Sequence, residues 1–192
     1  MYPQLVRVNP NLPSQDSLAR IFINMAQGEK VFIAESCTGG QVCASLARVA
    51  GASSIWLGGV VVYSNTLKTR LLGVPPDLLA MHGAVSRETA LAMADGACTL
   101  YGASLALAIT GIAGPSGGSP QKPVGCVFIA MRHANTRRIR QFLFDAGGGR
   151  LNIQSHAARA GILALIEELA LGAPCGFETI PPATLTNDSL RG

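Results

Sequence analysis

The chain has 192 residues, of which 48% are hydrophobic and 14% charged, and its formal net charge is +4. This length suits one domain with a substantial core, and no apolar run reaches the ~20 residues that a membrane-spanning helix needs. The N-terminus also lacks the basic and apolar regions of a secretory signal. We therefore expect a cytoplasmic protein that does not use a membrane.

Cysteine and charge patterns exclude further classes. The five cysteines are scattered, without a CxxC pair or a nearby His/Cys cluster, so the sequence predicts reduced thiols and no zinc site. Basic residues cluster only between Arg132 and Arg140, where no aromatic residue is interleaved for base stacking. We expect a solvated hairpin there and no nucleic-acid partner. The high apolar content favours a buried contact between subunits.

Helical and strand patterns alternate along the chain. The pair Gly58-Gly59 inside the second strand suggests a bulge or a close backbone approach, and Ser86 is placed to cap a helix. The predicted elements are, in order, a helix over 14–27, a strand over 30–34, a helix over 38–49, a strand over 55–64, short helices over 65–73 and 76–82, a helix over 86–101, a strand over 104–110, a hairpin over 124–146 and a helix over 150–171.

This order predicts a three-layer α/β/α single domain with a mixed sheet. The domain would cover residues 15–171, between an irregular arm at 1–14 and a loose tail at 172–192. Ligands of such sheets bind beyond the carboxyl ends of the strands. Three loops are predicted there, after Ala34, Val62 and Ile109.

The first loop places Ser36, Cys37 and Thr38 ahead of two glycines and the second helix. The structural interpretation is that Ser36 or Thr38 caps the helix while Gly39 and Gly40 relieve crowding. The functional interpretation is a serine nucleophile at a helix N-terminus, where N–H groups hold a phosphate or an oxyanion. Cys37 is an alternative nucleophile, although neighbours in sequence usually point apart at a turn.

A serine nucleophile needs a base, and the second loop offers one. The three histidines lie away from the predicted strand ends, so the sequence does not favour a Ser-His-Asp triad. Tyr63 ends the second strand and Lys68 begins the next helix, so both can face the crevice. On spacing alone, a rim aromatic and a solvated surface lysine are the favoured interpretation of these two residues.

The third loop, TGIAGPSGGSPQKPVG, is unusually dense in glycine and proline. Glycine lets a backbone approach a ligand and proline stiffens a loop, so a nest of N–H groups for an anion is one interpretation and a long turn is the other. Thr110 ends the preceding strand and faces the same crevice. Gly111 and Gly114 follow it.

These motifs resemble those of the CinA C-terminal domain family. AESCTGG, GGVVVYSNTLK, LLGVP, HGAVS, TGIAGPSGG and KPVG occur in that family in this order, and the resemblance covers about residues 16–169. Characterised members are nicotinamide-nucleotide amidases. The resemblance implies conversion of nicotinamide mononucleotide and water to nicotinate mononucleotide and ammonia, in pyridine nucleotide (NAD) salvage, with no cofactor and no metal.

The resemblance also implies roles for individual residues. Ser36 would be the nucleophile, Lys68 the base acting directly or through Tyr63, and Thr110 a contributor to the oxyanion site. The substrate-binding residues it implies are Thr38, Gly39, Gly40, Gly111, Gly114 and Arg150. Together with the apolar strands, the resemblance also implies a homodimer.

One departure and two alternatives remain open. Family members commonly carry Asp and Arg where this chain has Gly149 and Gln154, which weakens the case for anion binding by that segment. The first alternative function is a non-catalytic nucleotide-binding module related to competence or DNA damage. The second is a serine-dependent amidohydrolase acting on a different amide.

Overall fold

One six-stranded sheet organises the protein, whose structure, a computed structural model, describes residues 13–180. The irregular arm expected at 1–14 lies almost wholly outside the described residues, as do residues 181–192. The helices are α1 (Gln15–Met25), α2 (Gln41–Ala47), α3 (Asn65–Leu72), α4 (Pro76–His82), α5 (Arg87–Tyr101) and α6 (Gly149–Leu171). The strands are β1 (Val31–Glu35), β2 (Trp56–Val61), β3 (Leu105–Gly111), β4 (Cys126–His133), β5 (Thr136–Leu143) and β6 (Glu178–Ile180).

The sheet is mixed, as expected, with the strand order β2-β1-β3-β4-β5-β6. β1 runs parallel to both β2 and β3, whereas β4, β5 and β6 are antiparallel to their neighbours. The carboxyl ends of the three parallel strands therefore meet at one edge. Two backbone hydrogen bonds continue the pairing past the strand ends, from Val62 N–H to the Glu35 carbonyl and from Ser36 N–H to the Ile109 carbonyl.

Helices cover both faces of the sheet and complete the predicted three layers. α1, α2 and α6 pack together on one face, and α3, α4 and α5 pack on the other. Side chains alternate accordingly along β3, with Leu105, Leu107 and Ile109 in the core under α6 and two alanines under α5. Gly96 of α5 permits the close approach of α3, since a Cβ there would lie 1.8 Å from the Leu72 carbonyl oxygen.

The Gly58-Gly59 pair in β2 lies at both a bulge and a close approach of the backbone, the two features suggested from the sequence. The register of β1 against β2 shifts between Val31 and Phe32, so that Leu57 is left without a partner. A Cβ on Gly59 would lie 2.4 Å from the Cys43 sulfur, so the absence of a side chain lets α2 rest directly on β2. Cys43 and the second helix are thereby seated close to the first loop.

Two expectations are corrected by the fold. The second helix starts at Gln41 rather than near Thr38, because residues 36–40 form a turn that includes two left-handed glycines. The segment after Leu171 is not wholly loose, because residues 178–180 pair with β5 as strand β6. The helix caps are confirmed: Ser14 accepts from Ser17 N–H and Ser86 from Thr89 N–H.

The helices found between residues 13 and 180 include none with the length and apolar character that crossing a membrane requires.

Candidate active site

The carboxyl edge of the parallel strands gathers the side chains singled out in the sequence. Ser36 follows β1, Thr110 lies near the end of β3, and Tyr63 lies just beyond β2. Lys68 comes from the first turns of α3, and Arg150 from the start of α6 on the opposite face. Residues distant in sequence are thus brought to one edge by the parallel pairing of β1 with its two neighbours.

Ser36 and Lys68 form the central pair of this site. Lys68 Nζ lies 3.2 Å from Ser36 Oγ, and both residues are buried, with exposed fractions of 1% for Lys68 and 7% for Ser36. The amine also donates to the Val62 carbonyl at 2.7 Å and lies 3.5 Å from the Tyr63 carbonyl. Because carbonyls only accept, an uncharged amine can give its two N–H bonds to them and keep its lone pair for the serine proton.

Burial lowers the pKa of the Lys68 amine. Removing Lys68 from water disfavours its charged form and lowers the pKa of the ammonium, and the nearby Cys37 thiol opposes the shift only in part. The interpretation of Lys68 as a solvated surface lysine is therefore wrong. A neutral amine within hydrogen-bond reach of a hydroxyl is the arrangement that general-base activation of a serine requires.

The turn that carries the nucleophile is shaped by glycine and by Glu35. Gly39 and Gly40 have φ values of +66° and +97°, which side-chain-bearing residues rarely adopt. The fully buried Glu35 carboxylate accepts from Gly40 N–H at 3.0 Å and from Cys43 N–H at 2.8 Å. The protein's own carboxylate thus occupies the N-terminus of α2, and neither Ser36 nor Thr38 caps that helix.

Internal bonds decide which backbone donors of the turn can meet a ligand. Ser36 N–H donates to the Ile109 carbonyl at 3.0 Å and Gly39 N–H to the Ser36 carbonyl at 3.1 Å, while Gly40 N–H is held by Glu35. Gly39 and Gly40 therefore do not offer the N–H groups expected of them. Within residues 13–180 the N–H groups of Cys37 and Thr38 are the donors left in this turn.

Cys37 packs into the hydrophobic core. Its side chain is buried in the core formed with α1, α2 and α6, and burial raises the pKa of its thiol to about 12. A thiol that stays protonated at neutral pH is a poor nucleophile. Burial and the raised pKa of the thiol therefore favour Ser36 over Cys37 as the nucleophile.

Tyr63 and Arg150 bridge the rim of the site. The Arg150 guanidinium donates to the Tyr63 hydroxyl and, at 2.8 Å, to the Gly114 carbonyl. The Tyr63 side chain is 58% exposed, and its phenol contacts Arg150 rather than the Lys68 amine. The expected relay from Lys68 through the phenol is thus absent among the described contacts, and Lys68 contacts Ser36 directly.

Thr110 and the glycines after it have internal partners. Thr110 Oγ1 donates to the Ala84 carbonyl at 2.7 Å, so its single proton is committed to the segment that joins α4 to α5. A Cβ on Gly111 would lie 2.6 Å from Val127 Cγ2, which makes packing against β4 a sufficient reason for that glycine. The direct oxyanion role expected of Thr110 is therefore not supported by its hydrogen bonding.

Two residues of the site, Glu35 and Gln154, were not identified as site residues from the sequence. Glu35 was visible only as a carboxylate ending an apolar strand, and Gln154 only as the substitution of an expected arginine. Gln154 Nε2 donates to the Cys37 carbonyl at 2.7 Å, across 117 positions of the sequence. Thr38 Oγ1 is buried beside them and has no hydrogen-bond partner among residues 13–180.

Metal-binding groups are not evident in the described part of the chain, where no three His, Cys, Asp or Glu side chains converge. The chemistry available at this edge is that of a hydroxyl, an amine, a guanidinium and backbone donors.

Comparison with known proteins supports the resemblance seen in the motifs. The model of the CinA C-terminal domain matches residues 15–169. A CinA-like protein of Synechococcus is 55% identical over 117 residues, which is 60% of this chain and 28% of that protein. A CinA-like protein of Citrifermentans bemidjiense is 50% identical over 124 residues, or 65% of this chain and 30% of that protein. The chain thus spans less than a third of these curated relatives.

Solved structures agree with the observed fold. The competence/damage-inducible protein CihA of Agrobacterium tumefaciens superposes with a TM-score of 0.78 at 38% identity, covering 85% of this chain and 99% of that one. The competence damage-inducible protein A of Klebsiella pneumoniae superposes with a TM-score of 0.78 at 32% identity, covering 83% of this chain and 99% of that one. The chain belongs to the CinA C-terminal domain family.

Proposed function

We propose that the protein is a nicotinamide-nucleotide amidohydrolase that converts nicotinamide mononucleotide and water to nicotinate mononucleotide and ammonia. The observation that supports this most strongly is the buried pair of Ser36 Oγ and Lys68 Nζ, 3.2 Å apart. A hydroxyl beside a base of lowered pKa is suited to acyl transfer. Family membership and the motif resemblance favour this amide as the substrate.

In the acylation step, Ser36 Oγ bonds to the carboxamide carbon as its proton passes to Lys68 Nζ. The carbonyl oxygen takes up the negative charge of the tetrahedral intermediate, and the N–H groups of Cys37 and Thr38 are the donors placed to receive it. One such donor commonly contributes about 10²–10³ in rate. Lys68 then returns the proton to the amide nitrogen, the C–N bond breaks, and ammonia leaves.

Deacylation reuses the same groups. Water takes the place of ammonia, Lys68 accepts a proton from it, and the new hydroxyl attacks the acyl carbon. The ester bond to Ser36 breaks, the serine recovers its proton from Lys68, and nicotinate mononucleotide is released. Direct contact between Lys68 and Ser36 lets one base serve both halves of the reaction.

Arg150 provides the cation for the anionic part of the substrate. Its guanidinium carries five N–H donors, of which one is given to Gly114 and one to Tyr63. The remaining donors suit a phosphate oxygen. Tyr63, exposed at the rim, is placed to contact the pyridine ring or the ribose.

Ammonia release distinguishes this proposal from its alternatives. Purified protein is incubated with nicotinamide mononucleotide, with nicotinamide and with a panel of unrelated carboxamides, beside Ser36→Ala and a surface control, Ser53→Ala. We expect turnover of the mononucleotide by the wild type and Ser53→Ala only. Binding without turnover would indicate a non-catalytic nucleotide-binding module, and turnover of another amide alone would indicate a different amidohydrolase.

A further inference from the structure

We propose that Gln154 is a positioning residue that fixes the direction of the Thr38 N–H, one of the two donors assigned to the oxyanion. The inference rests on the proposed acyl-transfer function, but its geometry involves only this chain. Gln154 lies in the second turn of α6, on the face of the sheet opposite to the one that carries Lys68. It does not reach the reacting atoms, and it acts through the backbone of the turn.

The contact between Gln154 and the Cys37 carbonyl is short and buried. Gln154 is 8% exposed, and its Nε2 donates to the Cys37 carbonyl at 2.7 Å. A Cβ built on Gly39 would lie 3.8 Å from the same nitrogen, so the amide sits directly against the turn. A buried hydrogen bond at this distance holds its acceptor in one orientation, because losing it would leave the carbonyl unpaired.

Because a peptide unit is planar, fixing the direction of its carbonyl also fixes the direction of its N–H group. The Cys37 carbonyl and the Thr38 N–H belong to one peptide unit, which is trans. In a trans peptide the C=O and N–H bonds are nearly antiparallel. Holding the carbonyl toward α6 therefore holds the Thr38 N–H away from α6. A hydrogen bond accepted by the carbonyl also polarises the peptide and strengthens its N–H as a donor.

A polar network keeps α6 and the turn in register. Gln15 of α1 donates through Nε2 to the Ser155 carbonyl at 3.1 Å, next to Gln154 in the sequence. Its Oε1 accepts from Ser45 of α2 at 3.1 Å, and α2 continues directly from the turn. The helix that carries Gln154 and the helix that follows the nucleophile are thus tied to the same side chain. These contacts therefore fix the position of Gln154 relative to the turn.

The decisive comparison is between Gln154→Met, which keeps the side-chain length but removes the donor, and Gln154→Arg, which restores a donor. Leu151→Ala, at an exposed residue of α6 outside this network, serves as the control. Two reactions are followed: ammonia release from nicotinamide mononucleotide, and covalent labelling of Ser36 by diisopropyl fluorophosphate. In the labelling, Ser36 Oγ bonds to phosphorus, fluoride leaves, and the phosphoryl oxygen needs the same donors as the oxyanion.

We expect Gln154→Met to lower kcat and the labelling rate about tenfold or more while KM changes less than about threefold, since only interactions in the transition state are weakened. Gln154→Arg should recover most of the labelling rate, and Leu151→Ala should match the wild type. A crystal structure of Gln154→Met should show the Cys37–Thr38 peptide rotated.

The two readouts separate failure of this inference from failure of the proposed function. Slow labelling of Gln154→Met in a protein that does not hydrolyse the mononucleotide would reject that substrate and retain the inference. Equal labelling of Gln154→Met and wild type would reject the inference, whatever the substrate. Absence of labelling in the wild type would reject it as well, because Ser36 would then lack the reactivity that the donors serve.

Discussion

Lys68 Nζ lies 3.2 Å from Ser36 Oγ, beneath the carboxyl edge of three parallel strands and almost fully removed from solvent. The two residues are distant in sequence, since Ser36 lies in the connection from β1 to α2 and Lys68 lies in α3. The pair combines a hydroxyl with an amine whose pKa is lowered by burial. The proposed catalysis depends on this pair.

Replacing the base should remove activity without unfolding the protein. We expect Lys68→Met to lower kcat for ammonia release about 10²–10⁴-fold, the usual contribution of a general base. Methionine fills a similar volume without the cost of burying an amine, so the thermal unfolding midpoint should stay close to that of the wild type. Lys30→Met, at an exposed lysine, is the matched control. Activity of Lys68→Met within a few-fold of the control would reject Lys68 as the base.

The pH dependence of the reaction should report the same amine. The base must be unprotonated, so activity is lost as the pH falls through the pKa of Lys68. Because burial lowers the pKa of this amine, the fall in kcat/KM should occur below the ordinary lysine value of about 10.4. A pH profile of the wild type and Tyr63→Phe tests this. The two profiles should share one midpoint, and a midpoint displaced in Tyr63→Phe would instead implicate the phenol.

Arg150 should act on binding of the substrate anion. We expect Arg150→Gln to raise KM for nicotinamide mononucleotide by about tenfold or more, in line with a charge-assisted hydrogen bond worth ~1.5–3 kcal/mol. The riboside, which lacks the phosphate, should be affected much less by the same change. Steady-state kinetics with both substrates measure the difference. An equal loss with both would show that Arg150 supports the site through Tyr63 and Gly114 instead.

Thr110 should be a structural rather than a catalytic residue. Thr110→Val removes the donor to the partly buried Ala84 carbonyl, and we expect a loss of about 0.5–1.5 kcal/mol in unfolding free energy, the usual net contribution of one hydrogen bond. Thr110→Ser keeps the hydroxyl and should lose much less. Urea unfolding of the two variants provides the comparison. If both remain as stable as the wild type while Thr110→Val loses activity, the oxyanion role is restored.

Local patterns were enough to predict the architecture and the edge of the sheet at which the site lies. Continuous apolar runs, capping serines and glycine stops located the strands and helices, and parallel pairing then required that Ser36 and Lys68 approach one edge. Spacing alone could not tell a buried lysine from a solvated one. The family resemblance supplied that step, and the contact with Ser36 is consistent with it.

The contacts that the sequence did not predict depend on side-chain directions that are set by tertiary packing. The Gly40 N–H donates to the Glu35 carboxylate, and the Arg150 guanidinium donates to the Tyr63 hydroxyl. Gln154 reaches the Cys37 carbonyl from a helix 117 positions away. Strand β6 forms only because β5 leaves an edge open to it. None of these contacts corresponds to a local pattern in the sequence.

The nucleophile is the most direct point at which to test the account. Ammonia release from nicotinamide mononucleotide is measured for Ser36→Ala and Cys37→Ala beside the wild type, with folding checked by circular dichroism. We predict that Ser36→Ala falls to the background rate and that Cys37→Ala retains most of the activity, because its thiol is buried in the core. Wild-type turnover by Ser36→Ala, or loss of turnover only in Cys37→Ala, would contradict it.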